Sequence, residues 1–349
     1  MTKNIIIIGS GWYGCHIALL LSKYKDFNIK IIEKNKTIFD NSSYYNQNRL
    51  HLGYHYCRNY PTRSLCHKYY NKFLDVYANC VDKIKNNFYV ISKHSLMDYE
   101  TFKNIYTYEE FEFKIINNSY FQNIDENIIE VKEEVINSEK AKLQFEKKLF
   151  NLNNVHFLFN TKVISIEKKE DTINVNCDDE KIHNCDLLLD CTYNQLQLSK
   201  KQYTYELTLS LVIKKIKNAE FGALTIMDGK FLSLYPRDIE NDLYTLTDVE
   251  HTPIISSTNY FDIENYNPSE KEIDIIKEKM IDKIKYYYSE FEDNFEYHSY
   301  FLSKKTKLIS ASDSRDSTIE EIDKNIISVN CGKIYGIFDF EEFIKRIIS

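Results

Sequence analysis

The chain has 349 residues, 43% hydrophobic and 14% aromatic, enough apolar surface to offset chain entropy, so disorder as the main state is excluded and two interleaved domains can be built. A formal net charge of -7 argues against nucleic acid as a partner, because phosphate-backbone binding needs a basic surface. Eight cysteines occur without a CxxC pair in a chain too long to need stapling, and they read as reduced thiols of a cytoplasmic protein.

Asn4 to Ile8 is a β-branched run of the kind expected for a strand buried on both faces, and His16 to Tyr24 reads as a helix packed on it. The run is broken at Gly9 to Gly14 and followed by Lys23, Lys25 and Asp26, which fits neither a signal sequence nor a membrane span. No later stretch reaches spanning length, so a soluble chain with no membrane partner is expected. Between strand and helix lies Gly9-Ser10-Gly11-Trp12-Tyr13-Gly14. In this spacing the first glycine makes a tight turn, the second lets backbone N–H groups approach a pyrophosphate, and the third lets helix and strand pack closely. A second strand, Asn28 to Ile32, ends at Glu33, where a carboxylate can accept hydrogen bonds from ribose hydroxyls and would repel a 2′-phosphate. A dinucleotide is therefore expected, either FAD or NAD.

A polar, aromatic loop follows, running through Asn48, Leu50-His51-Leu52-Gly53-Tyr54-His55-Tyr56 and Ser64-Leu65-Cys66 into an amphipathic helix predicted around Leu65 to Tyr77. This order resembles the FAD-dependent oxidoreductases of the D-amino-acid-oxidase superfamily, nearest the branch of L-2-hydroxyglutarate oxidases and dehydrogenases, with Arg49 and His55 departing from that branch. The resemblance implies a Rossmann-like α/β FAD-binding domain with an interleaved antiparallel-sheet substrate domain, and it selects FAD.

A helix is predicted at Glu139 to Leu149, with Ala141, Phe145, Leu149 and Leu152 as its apolar stripe, followed by short strands at Val155 to Phe159, Lys162 to Ile166 and Thr172 to Asn176. In the family, the residue at Val163 meets the adenine through its backbone. Asp186 to Tyr193 resembles a second flavin-side strand, although Cys191-Thr192-Tyr193 stands where an Ala-Thr-Gly-like turn is usual. Ile326 to Ile334, before a terminal helix, resembles the family's C-terminal glycine turn, whose amides face the flavin O2. The cofactor contacts implied are Gly9, Ser10, Gly11, Trp12, Tyr13, Gly14, Glu33, Lys34, Asn48, Arg49, Leu50, Val163, Thr192, Gly332, Lys333 and Ile334.

The middle of the chain alternates. Tyr203 to Ile213 has strand periodicity, Leu224 to Met227 and Phe231 to Tyr235 flank an Asp228-Gly229 turn, and Tyr244 to Val249 adds a strand. Asn267-Pro268-Ser269-Glu270 starts a helix with a capping residue and proline at N1, and Ile273, Ile276, Met280 and Ile284 line one face. These predict a substrate domain of residues 86–130 and 203–300, with 1–85, 131–202 and 301–349 forming the FAD-binding domain.

In such a superfamily a hydride leaves a carbon bearing an amine or hydroxyl for flavin N5 while a base takes the heteroatom proton. His51 is the first candidate for that base or for a flavin-side hydrogen bond, and His55 the second. A carboxylate substrate needs a cation, and Arg49, Arg237 and Arg315 are the candidates, with Tyr54 and Tyr235 beside them. The other reading of each arginine is an ion pair. His51, His55, Cys57, Cys66 and His67 match no zinc spacing, so no metal is expected. The function expected is oxidation of a small amino or hydroxy acid or a sugar derivative. A flavin-dependent mutase or monooxygenase and a nonenzymatic dinucleotide-fold scaffold are the alternatives.

Overall fold

Ile5 to Ile8 lie in the strand Lys3–Ile8, at the centre of a six-stranded sheet. The computed structural model describes residues 2–170, 172–217, 219, 221–309 and 317–348. The sheet order is Thr318–Asp323, Ile326–Asn330, Leu187–Asp190, Lys3–Ile8, Phe27–Ile32 and Val155–Leu158. All pairs are parallel except the outermost, Thr318–Asp323 against Ile326–Asn330. Because strand side chains alternate, Ile5 and Ile7 join one core while Ile6 and Ile8 join another. The first core is covered by the helices Trp12–Leu21, Tyr60–Tyr77, Ser138–Leu149 and Gly336–Ile348; the second by a small antiparallel sheet of Val163–Lys169, Thr172–Cys177 and Ile182–Cys185. Ala141, Phe145 and Leu149 are buried as their spacing predicts.

A nine-stranded sheet stands against the first. Its strand Tyr203–Lys215 pairs along its length with Phe295–Leu308, and on its other side with Pro253–Ser257 and then Leu243–Asp248. Leu232–Asp238, Ala223–Met227, Asn87–Ser92, Ile124–Val131 and Phe113–Asn117 complete it. The sheet is mixed rather than purely antiparallel, since Ala223–Met227 runs parallel to Asn87–Ser92. Phe295–Leu308 carries the chain past residue 300 within this sheet before Thr318–Asp323 returns to the other.

Two helix starts differ from the sequence reading. The loop helix begins at Tyr60, not near Leu65, because the Asn59 side chain accepts from Thr62 N and Pro61 sits in the first turn. In Glu270–Tyr287 the cap is Ser269, reciprocated by Glu272 in a capping box, so Pro268 precedes the cap instead of occupying N1.

Gly14 fixes how closely the first helix approaches the sheet. A Cβ there would stand 1.9 Å from the Gly9 carbonyl oxygen, a backbone atom that cannot step aside. Gly14→Ala is expected to destabilise the fold by roughly 2–4 kcal/mol, seen as a lowered unfolding midpoint in urea; an unchanged midpoint contradicts this packing.

Candidate functional site

The carboxyl ends of the parallel strands and one face of the nine-stranded sheet enclose a cavity of about 710 Å³. Open α/β sheets place their ligand crevices at such strand ends. Ile8, Glu33, Thr192 and Cys331 line it from the strand ends, and Ser210, Thr247 and Ser303 line it from the facing sheet.

At its nucleotide end, Glu33 is held by three donors: Ser10 N at 2.9 Å and Ser10 Oγ at 2.7 Å to one oxygen, and Asn35 N at 2.9 Å to the other. Gly9 has φ +94°, and a Cβ on it would meet the Cys191 carbonyl oxygen at 2.8 Å. A Cβ on Gly11 would meet Ser43 Oγ at 2.6 Å, and that hydroxyl accepts from Trp12 N at 3.0 Å. The Trp12 ring is buried among Phe39, Phe73, Tyr77 and Phe145, which leaves its backbone facing the turn. Val163 turns its side chain into the core, and Thr161, Lys162 and Ile164 flank it along the cavity. From the facing sheet's connection, Glu264 pairs with Lys34 at 3.4 Å and Lys162 at 3.0 Å, tying the helix Tyr260–Glu264 over this end.

At the other end, Lys333 Nζ donates to His51 Nε2 at 3.2 Å and to Tyr56 Oη. The turn carrying it is pinned twice: Tyr13 Oη donates to the Lys333 carbonyl at 2.7 Å, and Tyr335 Oη donates to the His51 carbonyl at 2.7 Å. His51 and His55 stand edge to face, ring centroids 4.5 Å apart. Burial, reinforced by Lys333 and Arg49, holds the His51 pKa well below its ordinary value of 6.5; burial, then His51, Arg49 and Lys333, does the same to His55. Both imidazoles are therefore neutral at pH 7. Buried His51 Nδ1 has no partner among the described residues, a donor facing no acceptor in a site whose glycines leave room for a ligand. These features fit FAD: a glycine cradle and an acid at one end, an unmatched polar group and a cation at the other.

Ser10, Gly11, Tyr13, Lys34, Asn48, Thr192, Gly332 and Ile334 also line the cavity, as do Gly9, Trp12, Glu33, Arg49, His51, His55, Val163 and Lys333. Gly14 and Leu50 do not; Gly14 serves helix packing and Leu50 is core. Three substrate anchors named from sequence also lie elsewhere. Tyr54 and Tyr235 are fully buried with hydroxyls donated to the carbonyls of Glu112 and Glu134. Arg237 stacks on Tyr44 and Phe301 and donates to the Asn46 and Tyr44 carbonyls, so it braces the loop behind the cavity. Arg315 lies outside the described residues. Arg49 reaches the cavity, but its guanidinium is engaged by Tyr89 at 2.6 Å and Ser233 at 3.4 Å, with Glu133 at 3.9 Å.

Glu133 and Tyr89 carry no sequence signal for the site, and Tyr56 enters only as the last residue of the histidine loop. Glu133 sits in a charged stretch that reads as solvated surface, yet it is buried; the only hint is that a buried Arg49 needs a carboxylate. The Cys57, Cys66 and His67 cluster disperses into the core and onto Phe111. Asp248, Glu250 and His251 do bring ligand atoms within 4.8 Å of one another, but Lys283 already bonds Asp248 at 2.6 Å and pairs with Glu250 at 3.3 Å.

The neutral histidines make acid stability predictable. Their folded-state pKa values lie below 6.5, so the unfolded chain binds the extra protons: stability is complete above pH about 6.5 and is lost as pH falls below it. The unfolding temperature is expected to drop between pH 7.5 and 5.5, and less so in the double variant His51→Asn, His55→Asn; an equal drop in both contradicts burial in the neutral form.

Known proteins share this fold. Residues 7–79 match the family model described as an NAD(P)-binding Rossmann-like domain. The FAD-dependent monooxygenase FPY4 of Fusarium mangiferae is 30% identical over 348 residues, covering 98% of this chain and 90% of that protein. Among solved structures, NikD, described as an unusual amino acid oxidase essential for nikkomycin biosynthesis, superposes with a TM-score of 0.75 at 8% identity, covering 97% of this chain and 92% of its own. The L-alpha-glycerophosphate oxidase of Mycoplasma pneumoniae, with FAD bound, gives 0.71 at 14%, with 97% and 92% covered. With that likeness running nearly end to end, the chain belongs to the family of FAD-dependent oxidoreductases that includes FPY4.

Proposed function

We propose that this enzyme uses FAD to oxidise a carbon bearing a hydroxyl or amine in a small acid or sugar derivative. One observation carries the reading: a buried imidazole, His51, and a half-buried one, His55, both held neutral beside a lysine, line the end of the cavity opposite the nucleotide cradle. When bound, FAD supplies a two-electron acceptor for the C–H bond. Gly9, Gly11 and Glu33 would hold its nucleotide half, and the Gly332 turn with Lys333 would face its ring. Neutral imidazoles can take the heteroatom proton without first losing one of their own. Lys333 has no acidic partner among the described residues, so its charge is available to a developing anion. The loop order around His51 supports a 2-hydroxy acid as the finer choice, as in the L-2-hydroxyglutarate branch it resembles.

Monooxygenation is the second reading, favoured by the activity named for FPY4. The two differ in what reduces the flavin. Under anaerobic conditions without NAD(P)H, a panel of 2-hydroxy acids, amino acids and aldoses is expected to include a compound that bleaches the 450 nm band. Bleaching by NAD(P)H alone, whatever organic compound is added, overturns dehydrogenation in favour of monooxygenation.

Gly11→Val pushes Ser43 from the turn and fills the pyrophosphate approach. The purified variant is expected to be folded by circular dichroism but to hold at least about tenfold less FAD, read from its 450-to-280 nm absorbance ratio; a normal FAD content refutes the cradle.

A further inference from the structure

Hydrogen-bond accounting around the two histidines separates their roles. Tyr89 has one hydroxyl proton. Burial keeps it on the oxygen, and it is donated to Glu133 Oε2 at 2.7 Å. Glu133 is buried and surrounded by donors: besides Tyr89, the Leu52 N–H reaches Oε1 at 2.6 Å, the Gly53 backbone also bonds to it, and Arg49 lies 3.9 Å away. Burial pushes its carboxyl pKa up, but Arg49 and these hydrogen bonds all favour the carboxylate. With the Tyr89 proton committed, its two lone pairs must accept: one from Arg49 at 2.6 Å, the other from His55 Nδ1 at 3.3 Å. His55 therefore carries its proton on Nδ1 and a lone pair on Nε2, and that nitrogen has no protein partner among the described residues while the ring lines the cavity.

His51 is placed the other way round for chemistry. Its Nε2 is occupied as an acceptor by Lys333, which can only donate, so the ring proton is on Nδ1 and no lone pair is open. His51 offers a donor and His55 offers a base.

We propose that His55 is the proton acceptor of the site and that Tyr89 and Glu133 are positioning residues that fix its tautomer, with His51 a hydrogen-bond donor. This rests on the dehydrogenation reading above. In the step assigned, the substrate's O–H or N–H bond breaks, an N–H bond forms at His55 Nε2, and the imidazole becomes a cation. The charge stays on the imidazole and is stabilised by the hydrogen-bonded chain from Nδ1–H to Tyr89 Oη and from the Tyr89 hydroxyl to the Glu133 carboxylate. The groups facing His55 are Arg49, Lys333 and His51, with the Tyr56 and Phe231 rings, so the charge it gains is opposed by neighbours and offset chiefly through this chain.

The test needs no substrate at its first stage. FAD-loaded protein labelled with ¹⁵N-histidine, assigned with His51→Gln and His55→Gln, is expected to show both rings neutral at pH 7.5 and protonated at Nδ1, the tautomer less favoured in water. In Tyr89→Phe and in the milder Glu133→Gln, the His55 ring-nitrogen signals are expected to move toward the Nε2–H form while those of His51 hold. A His55 signal of the Nε2–H form in the wild type, or one indifferent to both variants, overturns the hydrogen-bonded chain. In the second stage, the panel compound that bleaches the flavin anaerobically should do so about 100-fold more slowly in His55→Gln and about tenfold more slowly in Tyr89→Phe, with FAD content unchanged. A wild-type rate in His55→Gln removes it as the base. If no compound in the panel bleaches the flavin, dehydrogenation falls, and the nitrogen spectra decide the tautomer separately.

Discussion

The buried contact of Arg49 with Tyr89 and Glu133 is the constraint on which the site depends. It joins the loop after the nucleotide cradle to Asn87–Ser92 of the nine-stranded sheet and to the segment leading into Glu134–Ile136. A buried charge without partners would cost several kcal/mol, so the three side chains hold one arrangement or the loop does not close. His55 hangs from that network, and His51 is fixed by the C-terminal turn. The cavity's chemistry is thus assembled from both sheets and both ends of the chain.

The same logic governs the nucleotide end with different means. There backbone proximity does the positioning: Gly14 against Gly9, and Gly9 against Cys191. After Thr192, where the resemblance implies glycine, Tyr193 takes a φ of +62°, in the left-handed region that side chains disfavour. Thr192 beside it is fastened to buried Asp190 through both its N–H and its hydroxyl, at 3.0 and 2.6 Å, and these bonds hold the turn that glycine would otherwise make easy. Over this end the Glu264 pairs with Lys34 and Lys162 link the two sheets.

Local signals were the legible ones. The isoleucine run, the glycine spacing and the acid at the end of Phe27–Ile32 each depend on residues a few positions apart, and each lies where its pattern implies. The histidine loop could be read as part of the site but not resolved into roles. The His55 tautomer is set by Tyr89 and Glu133 and that of His51 by Lys333, all distant in sequence and brought together by tertiary packing that no short window contains. Arg237 misled for a related reason: a scarce arginine suggests a carboxylate clamp, yet its planar guanidinium serves equally well stacked on Tyr44 and Phe301. Tyr54 and Tyr235 stand near site residues in the sequence, but their rings complete cores.

Under the function proposed above, a C–H bond of the organic substrate is what reduces the flavin. Single-turnover anaerobic reduction by a substrate carrying deuterium at the reacting carbon measures this directly. The expected result is reduction slowed several-fold by the deuterium, with no pyridine nucleotide present. Flavin reduced only by NAD(P)H, at a rate indifferent to deuterium in the organic substrate, would contradict that function.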